Sequence, residues 1–422
     1  MTFKFAEYKS DIIYYLTMVI MSLALFYNFA TGSDIIALAV TFSYCIYIFK
    51  CKNDYLLPSM IYMSLFAYLF NYNSYNLLFF VTSAYLFRSF QSPVFPKNKF
   101  VGILIIYFIT HLIATSSGIN IALMSMFLAL LSIFCASLQV TYKIGLLVQH
   151  SFIISFILSS ILGMFKEGTR LAEMLTADEV YETIRFSGLS YDPNFYTVIS
   201  IIAIFLIINL MRKKSRIINY VLLLIVLFFG MQTLSKSFYI SAVVLVLYSI
   251  KAAESKMKYG LFLGIVFIAV LPYFLDKIMP MLNIMFQRLE SGQDASSLTT
   301  GRSDLWRYYQ ELIFGDSFSF LIGHGAVMQK GMDAAHNTYL ELLYKFGIIG
   351  TLVDAYLIYV SFKNIKVSIG HTQFKSFLFF GLFAAMMFNL SAYSFPALWS
   401  CLVVVAIAGY LDINNEKQII TS

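Results

Sequence analysis

The sequence predicts an all-α polytopic membrane protein, and three observations support this fold class: composition, repeated apolar runs of span length, and the placement of basic residues. The 422 residues are 60% hydrophobic and only 12% charged, about half the charge of a soluble domain. A single soluble core cannot hide that much apolar surface, because cores stop growing beyond roughly 250–300 residues. A soluble enzyme, a nucleic-acid-binding domain and a disordered scaffold are therefore excluded.

Apolar runs that can cross a bilayer follow one another along the chain. Three of these runs are short, which leaves about twelve to fourteen transmembrane helices. The four cysteines lie in or beside such runs without metal-ligand spacing, so neither a disulfide framework nor a metal site is expected. The candidate spans lie near 12–30, 34–50, 56–71, 74–88, 100–116, 119–140, 144–165, 195–211, 217–232, 238–251, 259–273, 337–361, 376–392 and 395–411.

Lysine and arginine predict the orientation of the spans. With the N-terminus in the cytoplasm, 19 of the 29 basic residues fall on the cytoplasmic side, as the positive-inside rule requires. An even number of spans places both termini there. Residues 1–273 then hold the first eleven spans with an outer loop at 166–194, 274–336 form a large periplasmic loop, and 337–422 hold the last three spans.

The large outer loop is predicted to contain an amphipathic helix after Gly301. Its apolar stripe has helical spacing and comprises Leu305, Trp306, Tyr309, Leu312 and Ile313. Its polar face comprises Asp304, Arg307, Tyr308 and Glu311. Arg302 shares the apolar face, which we expect to lie against the membrane. Its guanidinium is then placed either to hold a lipid-linked phosphate through two N–H groups or to reach a lipid headgroup as an interfacial anchor.

His336 and Asn337 lie where the outer loop enters a span. Asn337 is suited to cap that helix, and a helix N-terminus is a natural seat for an anion. The same field keeps a nearby histidine neutral and able to accept a proton. Gly347 and Gly350 are expected to let a neighbouring helix approach closely. The alternative is that Asn337 is only a cap and His336 only a loop residue.

Other polar residues near span ends are weaker candidates. Lys236 lies at the outer end of a span, either as an interface anchor or as a functional cation. Asp192 and Asn194 precede another span, where an acidic residue before proline is also an ordinary helix start. His324 lies in a glycine turn and is either functional or solvated. Asp354 lies about 25 Å down the helix that Asn337 begins, which predicts a position at its cytoplasmic end.

Taken together, these residues resemble the O-antigen ligase and Wzy polysaccharide polymerase superfamily. The resemblance covers about 190–240 and 300–350. It lies in Arg302 and Trp306 of the long outer loop, the glycines at 323 and 325, and His336 with Asn337 and Tyr339. The pattern is completed by Gly347 and Gly350 in the next span, by Asp192 to Asn194, and by Lys236 between two serines.

The resemblance implies an inverting glycosyltransferase that needs no metal or other cofactor, built on a multi-helix membrane fold of the GT-C kind. Its donor is a glycan on undecaprenyl pyrophosphate. Carried over, His336 activates the acceptor hydroxyl and Arg302 binds pyrophosphate as a second catalytic residue. Asp192, Asn194, Trp306, Asn337 and Tyr339 are the further substrate-binding candidates. Lys236 stands where the family has an arginine, so the second cation is Lys236, Arg307, Arg288 or Arg185.

Three functions are compatible with this sequence. The favoured one is a repeat-unit polymerase for O-antigen or capsule, with lipid-linked oligosaccharides as donor and acceptor and a chain-length regulator as partner. The second is an O-antigen ligase that moves polymer onto lipid A–core. The third is a lipid-linked sugar flippase, which predicts a charged path within the spans. Each of them places the protein in the bacterial inner membrane, and nucleic acid is not expected as a partner.

Overall fold

The structure is a computed structural model, and the residues that it describes form one helical assembly. They are 2–32, 34–69, 71–72, 75–91, 101–102, 104–106, 108–109, 121–174, 186–190, 192–213, 217–233, 235–252, 302–325, 334–369, 377–388, 390 and 397–411.

Fourteen α-helices lie within those ranges. They are α1 (Thr2–Thr31), α2 (Asp34–Lys50), α3 (Asn53–Ser64), α4 (Leu77–Phe90), α5 (Ile121–Ser137), α6 (Tyr142–Met174), α7 (Pro193–Lys213), α8 (Ile217–Met231), α9 (Lys236–Ala252), α10 (Arg302–Gly315), α11 (Ser317–Ile322), α12 (Thr338–Ile369), α13 (Phe377–Met387) and α14 (Ala397–Tyr410). A 3-10 turn at Ala67–Leu69 and a hairpin of two-residue strands, β1 (Asn71–Tyr72) and β2 (Tyr75–Asn76), follow α3.

The predicted α-helical membrane protein is confirmed. Within the described ranges, four helices are long and apolar enough to cross a bilayer, and seven shorter apolar helices accompany them. Twelve of the fourteen candidate spans coincide with a described helix. The candidate span at 259–273 lies outside the described residues, and most of the one at 100–116 does too. Many large apolar side chains are exposed on these helices, as a lipid-facing surface requires.

Two predicted span ends are wrong, and a third helix is longer than its span. The helix α6 continues to Met174, but its apolar part ends at Lys166, in agreement with the predicted span at 144–165. The helix α12 continues to Ile369, eight residues beyond the predicted end at 361. The candidate span at 56–71 is a helix only as far as Ser64. Hydropathy marks where a helix leaves the bilayer, whereas the helix itself ends where its backbone hydrogen bonds end.

The helix α14 forms the centre of the assembly, and every residue from Ala397 to Gly409 in it is buried. It packs against α5, α6, α7 and α12. Beside it, Asn209 of α7 donates a hydrogen bond to the Ala408 carbonyl at 3.3 Å. The rings of Phe205 and Phe379 stack with centroids 3.9 Å apart and so join α7 to α13.

The polar contacts of one end of the bundle join helices that are far apart in sequence. Lys143 pairs with Asp54 at 2.9 Å, and Arg88 donates to Asn53 at 3.2 Å. We call this the lysine end of the bundle. The helix α14 ends at this end, since Ile407 and Leu411 adjoin Gly145 near the start of α6. The helix α7 ends there too, because Asn209 in its last turns contacts Ala408 of α14.

The opposite end gathers helix starts. Thr338, the first residue of α12, donates to the Leu390 carbonyl at 2.7 Å. Thr197 in the first turns of α7 donates to Thr233, just after α8, at 3.2 Å. We call this end the histidine end, because His336 directly precedes α12. The starts of α7, α9 and α12 therefore share one end of the molecule.

Candidate functional site

The helix α12 begins with a side-chain cap, as the sequence predicts. The Asn337 Oδ1 atom accepts hydrogen bonds from the backbone amides of Tyr339 and Leu340 at 3.1 and 3.2 Å. The Asn337 carbonyl accepts from the amide of Glu341 at 3.0 Å. Asn337 is 4% exposed, so its role as a buried N-cap is confirmed.

This cap changes the expectation that the helix N-terminus seats an anion. Three of the first four amides, those of Tyr339, Leu340 and Glu341, already have protein acceptors. These amides are therefore not available to such an anion. The helix dipole still favours negative charge nearby, but an anion here depends on side-chain cations for most of its direct contacts.

His336 has an unusual backbone. Its φ angle is +48°, and it is the only residue other than glycine with positive φ within the described parts of the chain. A non-glycine residue in this region costs of order 1–3 kcal/mol and persists only where its surroundings enforce it. Such residues cluster at functional sites. The surroundings of His336 therefore have to supply that constraint.

Two side chains hold the peptide that precedes His336. The indole Nε1 of Trp306 in α10 donates to the Ala335 carbonyl at 2.8 Å. The Glu341 Oε1 atom in α12 accepts from the Ala335 amide at 3.0 Å. Ala335 and Glu341 are almost fully buried. Because donor and acceptor of one residue are both fixed, the chain enters His336 in a single direction.

The apolar stripe of α10 does not lie against the membrane, contrary to the prediction. Tyr309 and Ile313 are buried in a small core with Tyr344 of α12 and Ala335. The predicted polar face is exposed as expected and comprises Asp304, Arg307, Tyr308 and Glu311. Hydrophobic spacing identifies the face that must be covered, but a protein helix and a lipid surface cover it equally well.

The helix α12 is kinked at Gly347, which has φ +61° and ψ −172°. At this kink the chain after α11 lies against the helix backbone. The amides of His324 and Gly325 donate to the carbonyls of Tyr344 and Lys345 at 2.7 and 3.1 Å. The kink frees carbonyls that an unbroken helix would use itself, and the glycine turn satisfies two of them.

Gly323 and Gly347 are required by this contact. A Cβ atom added to Gly347 would lie 2.4 Å from the Leu321 carbonyl oxygen, and one added to Gly323 would lie 2.3 Å from the Lys345 carbonyl oxygen. The predicted close approach at Gly347 is therefore real. Its partner is the turn after α11 and not a neighbouring span.

His324 is neither free nor solvated. Its ring stacks on Tyr344 with centroids 4.7 Å apart, and its Nε2 atom lies 3.0 Å from the Leu312 carbonyl. Both contacts hold α10 and α12 together. His324 is thus a packing residue that fastens the outer segment to the span.

The remaining candidates on α10 and α12 differ in their surroundings. Arg302 is the first residue of α10 and is half-buried, one turn before Trp306. Arg307 is exposed and 3.5 Å from Asp304. The Tyr339 hydroxyl donates to the Ala384 carbonyl of α13 at 2.8 Å, so it joins two helices. Arg302 shares α10 with Trp306, the side chain that contacts the residue before His336.

The start of α7 is a second polar region at the histidine end. The Asp192 Oδ1 atom accepts from the amide of Asn194 at 2.6 Å, and its carbonyl accepts from the amide of Tyr196 at 3.1 Å. Asp192 is therefore an N-cap, one of the two interpretations that the sequence allowed. Lys236 is the first residue of α9, but its side chain lies outside the described residues, and Arg185 and Arg288 lie wholly outside them.

Buried charges in α12 were missed by the sequence prediction. Glu341 and Lys345 are each 1% exposed, one helical turn apart. The capping-box pattern places a glutamate three residues after the cap. Glu341 lies four residues after Asn337, so the sequence pattern indicated its role only weakly. Asp354 was predicted near the cytoplasmic end of α12, where a charge is inexpensive to place; it is instead buried in the protein, at 2% exposure.

Searches of family models, of curated proteins and of solved structures found no match for this chain.

Proposed function

We propose that the protein is a membrane glycosyltransferase that transfers a glycan from undecaprenyl pyrophosphate to a lipid-linked repeat unit, acting as a polysaccharide polymerase with a GT-C-like fold. The observation that carries the proposal is the constrained backbone of His336, held between α10 and α12 by Trp306 and Glu341. A histidine with positive φ at a helix start has an unfavourable conformational free energy. A role as general base accounts for its presence there.

In the proposed reaction His336 removes the proton from the acceptor sugar hydroxyl. The acceptor oxygen forms a bond to the anomeric carbon of the donor from the face opposite the leaving group. The bond from that carbon to pyrophosphate breaks, and the proton stays on His336 until it is released. A sugar hydroxyl is a weak nucleophile, and a positioned base accelerates its attack by about 10²–10⁴-fold.

The leaving pyrophosphate needs fixed positive charge. Because the α12 cap already uses most of the first amides, the proposal assigns this role to Arg302, with Lys236 or Arg307 as the second cation. Preorganised cations are most effective where negative charge develops in the transition state. Arginine suits the task because its planar guanidinium binds phosphate oxygens in pairs.

The distribution of charge supports an external site. Lys143, Arg88 and Lys363 all belong to the lysine end, where Asn364 beside Lys363 also donates to Ser137. The positive-inside rule assigns such an end to the cytoplasm. His336 then faces the periplasm, within reach of donor and acceptor lipids in the outer leaflet of the inner membrane.

The test is a complementation experiment in a strain that lacks the gene, with lipopolysaccharide or capsule resolved on a gel. His336→Ala is expected to abolish polymer while core bearing a single repeat unit remains. The matched control is His150→Ala, since His150 is exposed on α6 and should support normal polymer. Immunoblots of membranes establish that both variants are present in equal amounts.

The same gel separates the other functions. Bare core with long polymer accumulating on undecaprenyl pyrophosphate would identify a ligase in place of a polymerase. Bare core without any lipid-linked repeat in the periplasm would identify a flippase. Normal polymer in the His336→Ala strain at normal protein level would refute the catalytic role of His336.

A further inference from the structure

A long cavity runs between α12, α13 and α14 and has no role in the proposed reaction. Its volume is about 780 Å³. It extends along α12 from Thr338 to Lys366, which is about 42 Å along a helix at 1.5 Å per residue. The hydrocarbon core of a bilayer is about 30 Å thick, so the cavity is long enough to hold an acyl chain. Most of its wall is apolar and includes Leu342, Ile358, Phe383, Leu398, Trp399 and Leu402.

The charge of the lining differs between the two ends of the cavity. At the lysine end, Lys363 and Lys366 line it one turn apart, together with Tyr359 and Tyr410. The lining at the histidine end is uncharged and includes Thr338, Tyr339, Ala384 and Met387. Asp354 is the other charged residue of the described lining, and both of its carboxylate oxygens are buried inside the protein.

This arrangement matches one class of ligand. A long apolar wall accepts hydrocarbon chains, and two adjacent lysines at one end accept an anionic headgroup. Basic pockets between transmembrane helices on the cytoplasmic side are suited to anionic lipids. We propose that this cavity binds an anionic phospholipid of the cytoplasmic leaflet, with its phosphate at Lys363 and Lys366 and an acyl chain beside Trp399.

The proposal is distinct from donor binding. A donor lipid that reacts at His336 has its pyrophosphate at the histidine end, where the described cavity lining carries no cation. The paired lysines lie at the other end, some 25 residues further along α12. Charge complementarity therefore favours a lipid that enters from the leaflet opposite the proposed reaction. The inference does not depend on glycosyl transfer.

The chain offers a direct probe, because it contains only two tryptophans. In a Trp306→Phe background, Trp399 is the only fluorophore of this kind and lies in the cavity wall. The protein is reconstituted into vesicles that contain phosphatidylglycerol or phosphatidylcholine with brominated acyl chains, since bromine quenches tryptophan on close contact. We expect brominated phosphatidylglycerol to quench Trp399 at about tenfold lower mole fraction than brominated phosphatidylcholine.

Replacing both cavity lysines, Lys363→Gln and Lys366→Gln, should remove this preference. The double replacement by arginine should retain it, which also shows that the fold tolerates change at these positions. Lys50→Gln with Lys52→Gln is the matched control, because it removes two positive charges outside the cavity lining. That control should keep the preference for phosphatidylglycerol.

Three results would overturn the proposal. Equal quenching by both brominated lipids would mean that the cavity has no headgroup selectivity. Loss of the preference in the Lys50 and Lys52 control would mean that bulk charge and not the cavity causes it. Relief of the phosphatidylglycerol quenching by added undecaprenyl phosphate, to the same extent with and without the cavity lysines, would assign the cavity to a polyprenyl chain.

Discussion

Two helix starts at the histidine end of the bundle can be compared directly. The helix α7 begins after Asp192 and α12 begins after Asn337, and both residues cap the first turn through a side-chain oxygen. A glycine with positive φ occurs near each start, Gly188 before Asp192 and Gly347 at the kink inside α12. The two helix starts therefore use the same kind of side-chain cap.

The regions differ in what precedes the cap. Before Asp192 the chain forms an ordinary serine-containing turn, in which Ser190 donates to the Ser187 and Asp192 carbonyls. Before Asn337 the chain contains His336 with φ +48°, and the preceding residue Ala335 is held by side chains from α10 and α12. A cap alone is a structural requirement of a helix, whereas a constrained histidine beside a cap points to chemistry.

The largest expected effect concerns the two glycines. Gly347→Ala should lower the thermal midpoint in detergent more than Gly188→Ala, at a cost of at least about 3 kcal/mol, because its backbone region is nearly exclusive to glycine and the new Cβ meets backbone atoms 2.4 Å away. At Gly188 the obstacle is the Tyr196 ring. Gly381→Ala is the control, since nothing lies within 4 Å of its Cβ position. An equal loss in all three variants would contradict the kink assignment.

The two caps provide the second test. Asn337→Ala and Asp192→Ala should each lower stability by about 1 kcal/mol, the usual value of an N-cap. Only Asn337→Ala is expected to lower the transfer rate per folded molecule, because it alone loosens the chain next to His336. Thermal midpoints and polymer yield normalised to membrane protein measure the two quantities. A matching loss of transfer in Asp192→Ala would restore Asp192 as a substrate-binding residue.

A smaller effect is expected for Trp306→Phe, which keeps the ring in place but removes the N–H donor to Ala335. One hydrogen bond of about 0.5–1.5 kcal/mol is lost, so transfer should fall by roughly threefold to tenfold, with little change in the thermal midpoint. Tyr308→Phe is the control, because Tyr308 lies on the exposed face of the same helix. Unchanged transfer in Trp306→Phe would show that the hydrogen bond does not position His336.

The smallest effect concerns the pH dependence of α11. Hydrogen bonds from the Ser319 backbone and side chain hold the pKa of the exposed Asp316 carboxyl below its usual value. Its contribution to stability is therefore complete above the unfolded value of about 3.9 and is lost as the pH falls through the lower, folded value. The difference in thermal midpoint between the protein and Asp316→Ala should shrink below about pH 4. A constant difference down to pH 2 would contradict this origin.

Local patterns were sufficient for much of this molecule. Apolar run length located twelve described helices, and the chemistry of Asn337 and the spacing of Tyr309 and Ile313 indicated the cap and the buried face of α10. These features depend on neighbours within one or two helical turns, so the sequence contains the required information. Their partners in three dimensions were beyond it.

The sequence by itself therefore determined the fold class, the approximate spans and the caps of α7 and α12. Only the tertiary structure decided that α10 packs on α12 instead of lipid, that Glu341 and Trp306 hold Ala335, and that Gly347 kinks its helix against Leu321. The physical reason is that the hydrophobic effect has no direction. It favours the removal of an apolar helix face from water but does not select the surface that covers that face. Hydrogen bonds between distant segments then settle the backbone of His336.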